Sequence, residues 1–214
     1  GVSHDLRTPL TRLTLGIEMS GADEFTADSM RADIEEMDRV IGQFLDFARE
    51  DGGEPQVEFD AADLVQDLAA QYLRRGLPVQ ARLPPQAPLL YARPLALRRV
   101  LANLVDNAVR YAGTEADIEI VLSDAGDEVK IEVLDRGPGI PPDQAELVKR
   151  PFTRLEAART GATGAGLGLA IVDRVVRGHG GRFDLLPREG GGLCARIVLP
   201  APPARRRRGA AARG

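Results

Sequence analysis

The sequence predicts an α+β chain in two parts, a helical hairpin followed by an α/β sandwich. Two observations carry this expectation. Leu6, Leu10, Leu13 and Ile17 recur at spacings of 4, 3 and 4, and Met30, Ile34, Met37, Ile41 and Phe44 at 4, 3, 4 and 3. Those are the apolar seams of two amphipathic helices. Beyond Pro55 the pattern changes to short runs of period-2 alternation interleaved with helical stretches, the mark of a sheet covered by helices. A length of 214 residues accommodates one small and one medium unit.

Each element has its own signal. Ser20-Gly21-Ala22-Asp23 breaks the two seams and reads as the hairpin turn. Two short helices bury little by themselves, so residues 1–51 are expected to pair with a second copy as a four-helix bundle, making a homodimer. Residues 52–57 read as a linker, opened by Asp51-Gly52-Gly53-Glu54-Pro55. The domain over 58–200 takes strands at 56–59, 79–83, 89–91, 118–123, 129–134, 182–186 and 194–199, the last of them as an antiparallel meander. Helices are expected at 62–72, 95–111 and 167–178. Between Gly137 and Gly166 lies a long segment punctuated by Gly and Pro, and such segments in compact domains are usually functional. Residues 201–214 read as a disordered, solubilising basic tail.

Composition narrows the function classes. Basic residues number 28 and acidic residues 32, a net charge of −4. Five of the basic residues are Arg205 to Arg208 and Arg213, so the body is distinctly acidic. That argues against a nucleic-acid surface, which needs clustered Lys and Arg. The single Cys194 excludes a disulfide framework and suits a reducing compartment. No apolar run approaches the roughly 18 residues of a membrane span, and no signal peptide is visible, so a soluble globular piece is expected.

The opening Ser3-His4-Asp5-Leu6-Arg7-Thr8-Pro9-Leu10 places His4 about 180–240° around the helix from the apolar seam, towards water. Thr8, Thr11 and Leu15 fall within about 40° of it. Thr8-Pro9 could be an N-cap with its first-turn proline, His4 lying in a frayed lead-in. The same stripe could present a nucleophilic imidazole held by Asp5, with Leu15 serving partner docking. Further on, Asn103 and Asn107 sit one turn apart on a face away from Leu97, Leu101, Leu104 and Ala108, followed by Arg110 and Tyr111. Two such asparagines fit a solvated surface, or oxygen ligands for Mg²⁺. Asp135-Arg136-Gly137-Pro138-Gly139 follows a strand and fits a turn, or a carboxylate that accepts from an exocyclic amine beside a backbone a planar base can approach. Gly164-Ala165-Gly166-Leu167-Gly168 leads into a helix, whose free N–H groups suit phosphate, though it matches neither a Rossmann fingerprint nor a P-loop.

Taken together and in order, His-Asp-x-x-x-Thr-Pro, Asn-x-x-x-Asn-Ala-x-Arg-Tyr, Asp-x-Gly-x-Gly, Pro-Phe and Gly-x-Gly-x-Gly-Leu resemble the H, N, G1, F and G2 boxes of bacterial sensor histidine kinases, over about residues 1 to 199. The run from Gly1 to Arg12 and the end strand at Gly191-Gly192-Leu193 look most like the EnvZ osmosensor type. The resemblance implies an ATP-binding sandwich of the gyrase/Hsp90/histidine kinase type, using ATP and Mg²⁺. It implies autophosphorylation of His4, with Asp5 as general base or orienting group, and transfer to a response-regulator aspartate. Thr8 would position water for dephosphorylation of that regulator. Asn107 would ligate Mg²⁺ with help from Asn103, Arg110 would contact phosphate, and Tyr111 and Asp135 would line the adenine pocket. Gly137 and Gly139 would shape that pocket; Phe152 would anchor the lid that Gly164, Gly166, Leu167 and Gly168 hinge. Thr11, Leu15 and Gly16, near His4, match positions where this family meets its response regulator. The fragment would be the cytoplasmic portion of an inner-membrane receptor, attached to the membrane only through segments upstream.

One departure stands out. The family's Phe-x-Pro-Phe reads Lys149-Arg150-Pro151-Phe152 here, and the Lys149 ammonium is expected to be solvated rather than to assist phosphate binding. Two rivals remain. An ATPase or serine kinase of the wider superfamily would account for residues from about 58 onward and leave the His4 stripe unexplained. A non-catalytic dimeric scaffold would have no need of Asn107, Asp135 and five motif glycines.

Overall fold

The structure, a computed structural model, describes residues 53–114, 116–153 and 166–202, and of the N-terminal part positions 13, 17, 23, 26–28, 30, 31, 34, 37, 41 and 42. Those N-terminal positions are helical except Asp23. Asp23 ends the break between the two seams as a cap: its carboxylate accepts the Thr26 N–H at 3.0 Å and the Thr26 hydroxyl at 2.7 Å. Leu13, Met30 and Met37 stay about half exposed in the single chain, leaving these seam positions without cover of their own. Leu6, Leu10 and Phe44 lie outside the described residues.

The larger part runs β1 (Val57–Asp60), α1 (Ala61–Arg74), β2 (Val79–Arg82), β3 (Leu89–Ala92), α2 (Pro94–Ala112), β4 (Ile118–Asp124), β5 (Glu128–Leu134), α3 (Gly168–Gly178), β6 (Arg182–Pro187) and β7 (Leu193–Pro200). Every expected strand and helix of this part forms within two residues of its predicted ends. Strands β1 and β3 make a separate antiparallel ribbon, Val57 opposite Ala92. The main sheet has the order β2-β4-β5-β7-β6, with β2 parallel to β4 and every other pair antiparallel. Val129, Ile131 and Val133 of β5 point into the core, while Lys130 and Glu132 alternate outward. Leu97, Leu101 and Leu104 of α2 pack with Ile118, Ile120, Ile131 and Ile197 of the sheet, each at most 2% exposed. Burial on that scale stabilises the fold by about 1.5–3 kcal/mol per side chain, so the helical layer and the sheet form as one core.

The end of the sheet is not a meander. The last strand, β7, inserts between β5 and β6, and β6 takes the edge. The physical reason lies in the two burial patterns: β7 is buried at five of its eight positions, whereas β6 is buried at only two of six. The short Gly-rich turn between them makes the two strands hairpin neighbours, so the more apolar strand goes inside.

Helix starts are set by side chains. Asp60 caps α1 by accepting the Ala62 N–H at 2.7 Å. Pro94 opens α2, and the Glu54 carboxylate receives the next two N–H groups, Leu95 at 2.7 Å and Ala96 at 3.0 Å. Glu54, in the expected linker, is therefore docked on this domain, and Val57 already belongs to β1. At the other end Ala201 is fully buried and donates its N–H to Asp127 O at 2.8 Å, so the packed chain continues past Pro200. Arg205 to Arg208 and Arg213 lie outside the described residues. No helix among the described residues is long and apolar enough to cross a membrane.

Candidate nucleotide site

Asp135 follows directly on β5 and is 5% exposed. Its Oδ1 accepts the Gly137 N–H at 2.7 Å and, more distantly, the Leu193 N–H at 3.3 Å. Its own N–H donates to Leu193 O at 3.0 Å. Among the described residues Oδ2 takes no hydrogen bond, and it is not among the sealed, unpartnered atoms of the core. One oxygen is thus fixed by the protein, and the other is left without a hydrogen bond among the described residues. Burial pushes the Asp135 carboxyl above its ordinary pKa, while the Gly137 and Leu193 N–H groups and the Arg188 charge pull it back down.

The backbone at 137 leaves little space for a side chain. A Cβ there would stand 3.1 Å from Asp135 Oδ1 and 3.2 Å from the Tyr111 main chain, at the C-terminal end of α2. Asp135, Gly137 and Tyr111 therefore approach one another closely, and a side chain at 137 would crowd the other two. Gly139 has a φ of 71° and lies against Gly192, with 3.0 Å from its absent Cβ to the Gly192 carbonyl.

Asn107 of α2 adjoins the first turn of α3. A Cβ on Gly168 would contact Asn107 Nδ2 at 3.6 Å and Oδ1 at 3.9 Å. Asn103 and Asn107 are half-buried, as is Arg110, and Tyr111 is more exposed. Among the described residues no group of three His, Cys, Asp or Glu could hold a metal ion. A divalent cation at this end of α2 would rest on amide oxygen, phosphate and water, which is a donor set that Mg²⁺ accepts. The donor chemistry and the Cβ-free approach at Gly137 both fit a magnesium nucleotide.

Leu167 is buried and precedes α3. Phe152 N–H donates to Gly166 O at 3.0 Å, clasping the chain on the two sides of residues 154–165. Gly166 has a φ of 70°, and a Cβ there would come within 2.9 Å of Thr153 O. Phe152 itself has a φ of 61°, rare for a residue with a bulky side chain, and is 64% exposed. Strain and exposure of an aromatic at the base of such a segment are marks of a functional constraint. Gly164 lies outside the described residues, as do His4, Asp5, Thr8, Thr11, Leu15 and Gly16.

Lys149 overturns its expectation. Its side chain is buried, and the ammonium donates to Phe183 O at 2.7 Å and to Glu146 at 2.6 Å, 5.4 Å from the Phe183 ring centre. The four-carbon stem occupies apolar space and the charge finds a strand carbonyl, so neither solvent nor phosphate is its partner here.

The sequence reading passed over the groups behind Asp135. Arg188 Nη1 donates to Asp135 O at 3.2 Å and Nη2 to Glu119, while Arg136 Nη1 donates to Glu189 O at 3.0 Å. The only available signal was the run Gly190-Gly191-Gly192, each with positive φ. His179 was also missed. Its Nδ1 faces Val175 O at 2.7 Å and its Nε2 accepts the Arg93 N–H at 3.1 Å, which requires the neutral Nδ1–H tautomer. This ring ties the end of α3 to the start of α2.

Residues 92–203 match the histidine kinase-, DNA gyrase B-, and HSP90-like ATPase family, and residues 1–53 match the His Kinase A (phospho-acceptor) domain. The second match covers the segment that the ATPase alternative leaves unexplained. Sensor protein KdpD of Escherichia coli (strain K12) is 36% identical over an alignment 211 positions long, which covers 93% of this chain and 24% of KdpD. The chain spans only part of the length of such relatives, 24% of KdpD and 55% of the adaptive-response sensory kinase SasA of Parasynechococcus marenigrum. The solution structure of the histidine kinase domain of the E. coli osmosensor EnvZ is 34% identical with a TM-score of 0.55, over 72% of this chain and 93% of that one. Full-length ShkA in complex with AMPPNP shares the fold, with a TM-score of 0.74 at 24% identity, over 94% of this chain and 44% of that one.

Proposed function

The chain belongs to the bacterial two-component sensor histidine kinase family, and from that premise we propose that it binds ATP with Mg²⁺ and phosphorylates its own His4. The observation that carries the reading is the divided Asp135 carboxylate, one oxygen tied to the Gly137 N–H and the other without a hydrogen bond, beside a glycine whose missing Cβ keeps the approach clear. Such a carboxylate selects a base bearing an exocyclic amine, because the amine N–H meets a charged acceptor. Tyr111, Gly137 and Gly139 line the base pocket. Asn107 would ligate the metal with Asn103 helping to organise its shell, and Arg110 would contact phosphate. Gly164, Gly166, Leu167 and Gly168 form the hinge of a lid based at Phe152.

Held there, Mg²⁺ would supply charge neutralisation on the triphosphate. The protein's contribution is positioning. A neutral His4 ring nitrogen attacks the γ-phosphorus in line with the β–γ bridging oxygen; the N–P bond forms, the P–O bond breaks, and ADP leaves. Asp5 orients the imidazole or takes its proton. The phosphoryl group then passes to an aspartate of a response regulator docked near His4 on Thr11, Leu15 and Gly16. Thr8, one turn on, positions water for the reverse task of dephosphorylating that regulator. The half-exposed seam positions Leu13, Met30 and Met37 support a homodimer through a four-helix bundle.

Within the family, the run from Gly1 to Arg12 and the likeness to the EnvZ domain support an EnvZ type, in the cytoplasmic part of an inner-membrane receptor. Incubation with ATP and Mg²⁺, followed by a purified receiver domain, tests the reading. The expected result is phosphoryl transfer to the receiver aspartate, and loss of it that slows in Thr8→Ala. A receiver that never gains phosphoryl overturns the transfer step; loss at the same rate in Thr8→Ala overturns the phosphatase role.

A further inference from the structure

Three charged groups, Glu119, Arg188 and Arg82, meet behind the Asp135 carboxylate. Glu119 of β4 is 8% exposed. It pairs with Arg188, whose side chain is 12% exposed, and with Arg82 of edge strand β2, whose Nη2 stands 2.7 Å from Oε2. Oε2 takes no well-directed hydrogen bond from Arg82, so the firm partner of Glu119 is Arg188. The other arm of the same guanidinium reaches Asp135 O at 3.2 Å. A planar fork of this kind holds two acceptors at a fixed angle.

The turn between β6 and β7 is laced to the end of β5 from both sides. Arg188 N–H donates to Gly192 O at 3.1 Å and Gly191 N–H to Arg188 O at 3.0 Å, closing the turn. Arg136, next to Asp135, donates back to Glu189 O. Gly192 lies so close to the Asp135 carbonyl that a Cβ would overlap it. Leu193, which begins β7, supplies the second N–H on Asp135 Oδ1. The carboxylate is therefore held through its own main chain and through a turn whose anchor is Arg188.

We propose that Arg188, braced by Glu119, is a positioning residue that fixes the Asp135 carboxylate and thereby sets the preference for an amino-purine over an oxo-purine nucleotide. Arg188 touches no base itself; it acts through Asp135 and the Leu193 N–H. The inference rests on the nucleotide reading given above. A carboxylate tied at one oxygen discriminates between an amine and a carbonyl only while its free oxygen keeps its direction, because hydrogen bonds weaken steeply off axis.

Calorimetric titration of the whole chain with ADP and with IDP, in which a carbonyl replaces the amine, tests this. Wild type is expected to prefer ADP. Arg188→Met should lower the ADP:IDP affinity ratio about tenfold, mainly by weakening ADP, with IDP changed about twofold or less. Adding Asp135→Asn to Arg188→Met should bring little further loss, since both act through one contact. Because Arg188→Met leaves a buried carboxylate poorly paired, Arg188→Met with Glu119→Gln provides a folded alternative read by the same ratio. A folded variant of either kind that keeps the wild-type ratio overturns the proposal. A wild-type chain that binds both nucleotides equally, or neither, overturns the nucleotide reading and this inference with it.

Discussion

Asp135 Oδ1 and the Gly137 N–H lie 2.7 Å apart, so the buried carboxylate commits one oxygen to the protein and leaves the other without a hydrogen bond among the described residues. Burial raises its pKa. As pH falls, the folded chain then takes up this proton before the unfolded chain does, and for this group acidification favours the fold. Ligand binding has the opposite sign, since the ionised oxygen is the better acceptor for an amine. Affinity for ADP should fall as pH enters the range just above ordinary aspartates. Asp135→Asn should weaken ADP about tenfold or more at neutral pH and remove that acid-side step, as calorimetric titration across mildly acidic pH would read.

Tyr72 and Asp106 give a prediction at the alkaline end. The Tyr72 hydroxyl lies 2.6 Å from Asp106 and links α1 to α2. Burial first, then the Asp106 hydrogen bond and charge, push its pKa well above the ordinary tyrosine value. The stability this gives is complete below about pH 10, where unfolded tyrosine titrates, and is lost as pH rises from there towards the folded value. Tyr72→Phe should cost about 1 kcal/mol at neutral pH and flatten the alkaline decline in urea unfolding.

Gly181 leaves no room for a side chain. A Cβ there would overlap Val198 O and come within 2.8 Å of a Leu199 methyl and 3.0 Å of a Val176 methyl. Gly181→Ala should destabilise by about 1–3 kcal/mol and lower the thermal midpoint by roughly 2–12 °C.

Lys149→Ala should separate packing from nucleotide contact. It removes the donor to Phe183 O, and a buried carbonyl left unpaired costs about 1–2 kcal/mol. The partner Glu146 is 76% exposed, so its ion pair adds little. ADP affinity should stay within about twofold of wild type, and a loss beyond about tenfold would restore the phosphate-binding alternative.

The strands were legible because one face of the sheet packs on helices and the other does not, which writes alternation into runs such as Val129 to Val133. The glycines at 137 and 166 were legible as motif positions, and their reason is close approach to Tyr111 and Thr153. What could not be read depends on partners far apart in sequence. Arg188 and Glu119 are separated by 69 positions, and His179 and Arg93 by 86. The burial of Lys149 follows from a strand carbonyl that only the folded sheet brings within reach. The inside position of β7 follows from competition between two strands for the same place, and periodicity within either strand does not decide that.

Phosphorylation of His4, as proposed above, is tested by incubating the chain with γ-labelled ATP and Mg²⁺ and treating the labelled protein with acid and with base. A phosphoramidate on His4 predicts label that survives base, is lost in acid and is absent from His4→Ala, while that variant binds ADP as wild type does. Label that resists acid, or that persists in His4→Ala, would contradict it.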